Sequence, residues 1–138
     1  MTKDLWINLP VKDVAMSSKF YTGIGFEMNP KFGNGKDSAC FIVSVKKIAL
    51  MLFSHQQFNH FTGAAVADAD KSAEMMISID AESTAEVDEL AKKAETAGGV
   101  VFGKPSEVQG WMYGCGFSDP DGHRWNVLYM DMSKMPKR

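Results

Sequence analysis

Alternation opens the chain. In residues 5–11, LWINLPV, Leu5, Ile7, Leu9 and Val11 fall on one face of an extended segment and Trp6, Asn8 and Pro10 on the other. Asp13 then stands where a helix N-cap belongs, and Val14, Ser17, Phe20 and Tyr21 follow helical spacing until Gly23 or Gly25 ends the helix. Strand-like runs follow at 26–30, 38–45 and 47–53, separated by Gly33-Asn34-Gly35 and by Lys46-Lys47. The order repeats after a polar, aromatic-bearing connection over 54–72, read as a loop with room for one short helix. Residues 73–80, AEMMISID, predict a strand. Ser83 and Glu86 fit a capping box, and Val87, Leu90, Ala91 and Ala94 make one apolar stripe up to Gly98-Gly99. Further strands are predicted at 100–103, 111–118 and 124–130.

The pattern is therefore a βαβββ unit written twice, over 5–53 and 73–130, with helices near 13–22 and 84–97. The fold class is α+β, and the whole chain forms one domain. In each unit the helix covers one face of a four-stranded sheet, so the other face must meet a second sheet or curl around a ligand. This predicts a curved mixed-sheet cup. Alternation assigns Trp6 and Asn8 to the cup side of the first strand. It assigns Glu74, Met76 and Ser78 to the fifth and Arg124, Asn126 and Leu128 to the last.

Composition narrows the function classes. Apolar residues make up 45% of the 138 residues, charged residues 23%, and the net charge is −2, so nucleic acid is not an expected partner. No apolar run approaches the roughly 20 residues needed to cross a bilayer. Met1-Thr2-Lys3-Asp4 runs straight into strand pattern without a signal-peptide core. Cys40 and Cys115, the two cysteines, lack CxxC spacing and read as reduced thiols. These features predict a cytoplasmic protein.

Three segments carry a family resemblance. They are Asn8-Leu9-Pro10-Val11-Lys12-Asp13 followed by Ser17-Ser18-Lys19-Phe20-Tyr21 and Gly25-Phe26; Ile77-Ser78-Ile79-Asp80 with Ala97-Gly98-Gly99; and Tyr113-Gly114-Cys115-Gly116-Phe117-Ser118-Asp119-Pro120-Asp121-Gly122-His123. In this order the chain resembles the vicinal oxygen chelate superfamily of glyoxalase I, bleomycin-resistance proteins and extradiol dioxygenases. The resemblance implies paired βαβββ modules, a homodimer (the aromatic linker around Phe58 and Phe61 being a candidate contact), and a site inside the cup. In the family's enzymes that site holds a divalent metal on His and Glu ligands.

Carried over residue by residue, those positions fall on Trp6, Glu74 and Asn126, and the run Ile48–Phe53 contains no acid. One carboxylate and one amide are too few donors for a transition-metal site. The expectation is thus no metal and no cofactor, with a small apolar or aromatic molecule bound by Trp6, Asn8, Glu74, Met76, Trp111, Met112, Arg124 and Asn126; Trp125 is a further candidate for the pocket lining. Two alternatives stay open. One is a lyase, isomerase or extradiol dioxygenase with metal ligands at Glu74, His55 or His60 and Glu74 as candidate catalytic group. The other is a structural or interaction protein whose cup its own side chains fill.

Overall fold

The structure, a computed structural model, describes residues 1–137. The chain divides into two compact units, Met1–Ala69 and Asp70–Arg138. The first contains β1 (Trp6–Val11), α1 (Val14–Gly23), β2 (Glu27–Met28), β3 (Ser38–Ile42), β4 (Ala49–Ser54) and α2 (His55–Thr62). The second contains β5 (Met76–Asp80), α3 (Thr84–Thr96), β6 (Val100–Val108), β7 (Met112–Ser118), β8 (Arg124–Met130) and a single 3₁₀ turn at Met132–Lys134. Each unit builds one four-stranded sheet, ordered β1-β4-β3-β2 and β5-β8-β7-β6. In both, the first strand runs parallel to the last and the remaining pairs are antiparallel. This is the α+β, twice-written βαβββ architecture that the periodicity predicts.

In the first unit α1 starts where Asp13 accepts the Met16 backbone N–H at 3.1 Å. Its buried residues are Val14, Ser17, Phe20 and Tyr21. The Tyr21 ring meets Phe41 of β3 at 6.0 Å, and the register sets Phe41 beside Leu50 and Leu9 beside Leu52. The covered face is therefore Leu9, Val11, Phe41, Leu50 and Leu52, all buried. Leu5, expected on this face, precedes β1 and is 60% exposed.

In the second unit Ser83 accepts the Glu86 N–H, while the Glu86 carboxylate accepts the Glu82 N–H at 3.0 Å. Both bonds hold the first turn of α3. The helix buries Val87, Ala91 and Ala94 on the sheet. Tyr113 of β7 donates its hydroxyl to Asp88 at 2.6 Å, and the Cys115 thiol faces the Val87 carbonyl. The register then puts Phe117, Trp125, Val127, Ile77 and Ile79 on this same helix-covered face. Trp125 is fully buried and stacked on Phe117, with centroids 6.3 Å apart and planes 4° from parallel. Trp125, a candidate for pocket lining as a large aromatic side chain, is core on the α3 side of the sheet.

Several strand boundaries differ from the sequence expectation, and two of them shape the second sheet. The strand expected at 73–80 begins at Met76, because its partner β8 begins at Arg124 and the ladder opens at Met76↔Arg124. The strand expected at 100–103 extends to Val108 through two register shifts. Lys104, Pro105 and Ser106 lack apolar alternation because β6 is an edge strand, where a proline removes no ladder bond.

Two buried thiols and one hydrogen-bonded phenol fix a pH response. Burial raises the Cys40 thiol above its ordinary 9.0, and burial followed by the Asp88 carboxylate raises Cys115 likewise. The Tyr113 phenol rises above its ordinary 10.0, first because its O–H donates to Asp88 and then through burial and nearby negative charge. All three ionise more readily in the unfolded chain. Stability is full at neutral pH and falls as pH climbs from about 8.5 through the raised folded values. A urea midpoint lower at about pH 10 than at about pH 7 is expected; an equal or higher one contradicts these contacts.

Candidate functional site

The turn before β8 is held by Asp119. Its Oδ1 accepts the backbone N–H groups of Asp121 at 3.0 Å and His123 at 2.8 Å, and its carbonyl accepts the Gly122 N–H. Gly122 takes φ +94, which suits glycine. This buried turn delivers Arg124 as the first residue of β8 and sets every later residue of the strand to a defined face.

On the face of the second sheet away from α3, alternation and register place Met76 beside Arg124, Ser78 beside Asn126, and Gly116 on the other side of Asn126. Leu128 lies beside Gly114. A Cβ at Gly114 would sit 2.7 Å from the Leu128 side chain, and one at Gly116 would sit 2.5 Å from the Phe102 ring. The two glycines thus let Leu128 and Phe102 lie flat on the β7 backbone. The Arg124 guanidinium carbon stands 4.5 Å from the centre of that Phe102 ring. Phe102, Arg124 and Asn126 therefore converge on one patch of sheet.

At the middle of this patch is a polar atom that the fold does not satisfy. Asn126 Oδ1 is buried and has no hydrogen-bond partner among the described residues. A buried acceptor left this way costs about 1–3 kcal/mol, and native chains keep few of them.

The other expected site residues are distributed more widely. Glu74 is exposed on a bend before β5, not on a strand face. Trp111 is half-buried in the β6–β7 turn, where Gln109 and Gly110 both have positive φ. Met112 is paired with Met130 at the end of the ladder opposite Ser118 and Arg124. Six residues of strand separate those ends, roughly 20 Å. Met112 and Arg124 thus share a face but not a small-molecule pocket. In the first unit, Trp6 and Asn8 occupy the face of β1 away from α1, with Asn8 level with Met51, and Trp6 is 53% exposed. His55 and His60 are exposed on α2. Among the described residues no three His, Cys, Asp or Glu side chains gather where they could hold a metal ion.

Sequence reasoning passed over Phe102 and the two glycines beneath this face. The signal was present as Gly114-x-Gly116 on a strand: small residues two apart on one face mark a close approach from a neighbour.

Residues 5–127 match the model of the Glyoxalase/Bleomycin resistance protein/Dioxygenase superfamily. The chain belongs to this superfamily. A hypothetical protein from S. aureus is 31% identical, with a TM-score of 0.80 and 94% of each chain covered. A glyoxalase-related enzyme from Fulvimarina pelagi has a TM-score of 0.79 at 23% identity, over 94% of this chain and 88% of that one. A lactoylglutathione lyase from Agrobacterium tumefaciens has a TM-score of 0.66 at 20% identity, over 95% and 96%. The last two likenesses are of fold. No curated protein matches the chain significantly. Trp6, Glu74 and Asn126, onto which the resemblance carries the family's metal ligands, offer few donors. An indole offers no lone pair for a metal, Glu74 stands off the strand, and Asn126 offers one neutral carbonyl.

Proposed function

We propose that this superfamily member binds a small organic molecule on the face of its second sheet away from α3, with no transition metal at the site. The observation that carries the reading is Asn126 Oδ1, buried on that face without a donor among the described residues. A bound molecule with an O–H or N–H group supplies the missing bond. Phe102, Leu128 and Met76 supply apolar contact, and such a mix of apolar lining and few polar anchors is what small-molecule sites use. The exposure of Glu74 favours binding over a reaction that relies on it as a general base, because a side chain on an exposed bend before β5 is not held against a molecule on the sheet face. Trp6 and Asn8, on the corresponding face of the first unit, are the proposed contacts there. No helix among the described residues is long and apolar enough to cross a membrane. The free, buried cysteines support a cytoplasmic setting. The reading includes a homodimer, with Phe61 on α2 as a contact; light scattering that gives only monomer mass at micromolar concentration removes that part.

Elemental analysis of protein purified without chelator tests the metal claim. We expect far less than one Fe, Mn, Ni, Co or Zn per chain. Near one metal per chain, lost in Glu74→Ala, overturns the proposal in favour of metal-dependent lyase or dioxygenase chemistry.

A further inference from the structure

Resting on that binding reading, we infer that the ligand is a small hydroxylated carboxylate, whose anionic end meets Arg124 and whose hydroxyl donates to Asn126 Oδ1. Three observations lead to it. First, Arg124 is half-buried at the start of β8, and its described side-chain contact is the Phe102 ring at 4.5 Å. No carboxylate of the described residues pairs with it. A guanidinium lying over a ring uses its face there and keeps its edge N–H groups free. Those donors form the planar fork that a carboxylate matches with two parallel bonds.

Second, the ring that carries Arg124 is itself fixed. Phe102 rests on Gly116, where any Cβ would collide with Cε1 and Cζ. The glycine, the ring and the guanidinium form a stack that holds the charge in one place before a ligand arrives, which lowers the ordering cost of binding.

Third, the two polar anchors differ in kind and have a set separation. Asn126 follows Arg124 by two residues on one face, so their Cα atoms are roughly 7 Å apart. Arg124 offers donors only; the buried Asn126 oxygen accepts only. A ligand that satisfies both carries an anionic acceptor at one end and a neutral donor at the other, across a short apolar body. Met76 and Ser78, level with Arg124 and Asn126 on the neighbouring strand, border that body with a thioether and a hydroxyl. A fatty acid or a neutral hydrocarbon fails one of the two requirements.

Calorimetric titration with three probes reads the two anchors separately: 4-hydroxybenzoate, benzoate without the donor, and phenol without the anion. We expect 4-hydroxybenzoate to bind tightest, with benzoate and phenol each weaker by about tenfold. In Arg124→Gln, 4-hydroxybenzoate falls to the phenol level while phenol is unchanged. In Asn126→Leu it falls to the benzoate level while benzoate is unchanged. Added salt weakens the two anions and not phenol. Phenol binding as tightly as 4-hydroxybenzoate, with Arg124→Gln silent, overturns the anion inference and leaves the binding reading standing. Failure of all three probes to bind saturably, in protein with a native melting transition, also overturns it; the metal analysis above then decides the wider reading on its own.

Discussion

Trp125→Ala lowers the folding stability by about 3–5 kcal/mol. The indole is fully buried on the α3 side of the second sheet, stacked on Phe117 and level with Ile77 across the parallel ladder. Its removal leaves a cavity that Phe117 and Val127, both fully buried and locked in their own strands, cannot collapse to fill. Against a typical stability of about 5–15 kcal/mol, such a loss is large, and it corresponds to a melting temperature lower by roughly 10–20 °C. Trp6→Ala provides the contrast: that indole is half exposed at the start of β1, and its loss changes stability by less than about 1 kcal/mol. Urea unfolding followed by circular dichroism compares the two. Similar losses for both contradict the assignment of Trp125 to the core and of Trp6 to an open face.

Asn126→Leu moves stability and binding in opposite directions. The substitution keeps the shape of the side chain and removes a buried acceptor that has no partner among the described residues. The folded state then no longer carries the desolvation cost of that oxygen, and stability rises by about 1–2 kcal/mol. Affinity for a donor-bearing ligand falls by about tenfold, since the hydrogen bond that would have satisfied the oxygen is gone. Residues retained for a site at the expense of the fold behave in this way. A stability loss above about 1 kcal/mol would instead mean that Asn126 has a structural partner in solution and that this face is ordinary core.

Much of the fold was legible because both periods are strong. Leu9 and Val11 under α1, and Ile77, Val127 and Trp125 under α3, obey a strict two-residue alternation, and Ser83 with Glu86 announces a helix start. The edge of the reading was β6, where exposure on the outer face and Pro105 erase the alternation that marks a strand. The start of β5 was blurred for a different reason. A strand ends where its partner does, and the partner's first residue is set by the Asp119 turn almost fifty residues later. Glu74 was placed on the cup face by extending the alternation past that limit.

The candidate site was legible only in part. Alternation alone grouped Met76, Arg124 and Asn126 correctly on one face, because that grouping depends on strand period. It could not show that Met112 lies at the far end of the same ladder, that Trp111 belongs to a turn, or that Phe102 folds over Gly116. Those facts depend on register and on β-bulges in an edge strand, which a linear pattern does not carry. The resemblance to the superfamily pointed to position 126 through its metal ligands. The unsatisfied oxygen there is a property of three-dimensional packing.

The most direct test of the account is the side-chain amide resonance of Asn126 during titration with phenol and with 4-hydroxybenzoate, in buffer that contains a strong chelator. The account predicts that this resonance and the Gly116 backbone amide shift saturably with at least one of the two, and that omitting the chelator or adding Fe(II), Mn(II) or Zn(II) changes nothing. Shifts that appear only when a transition metal is supplied, or that vanish when the chelator is present, contradict it.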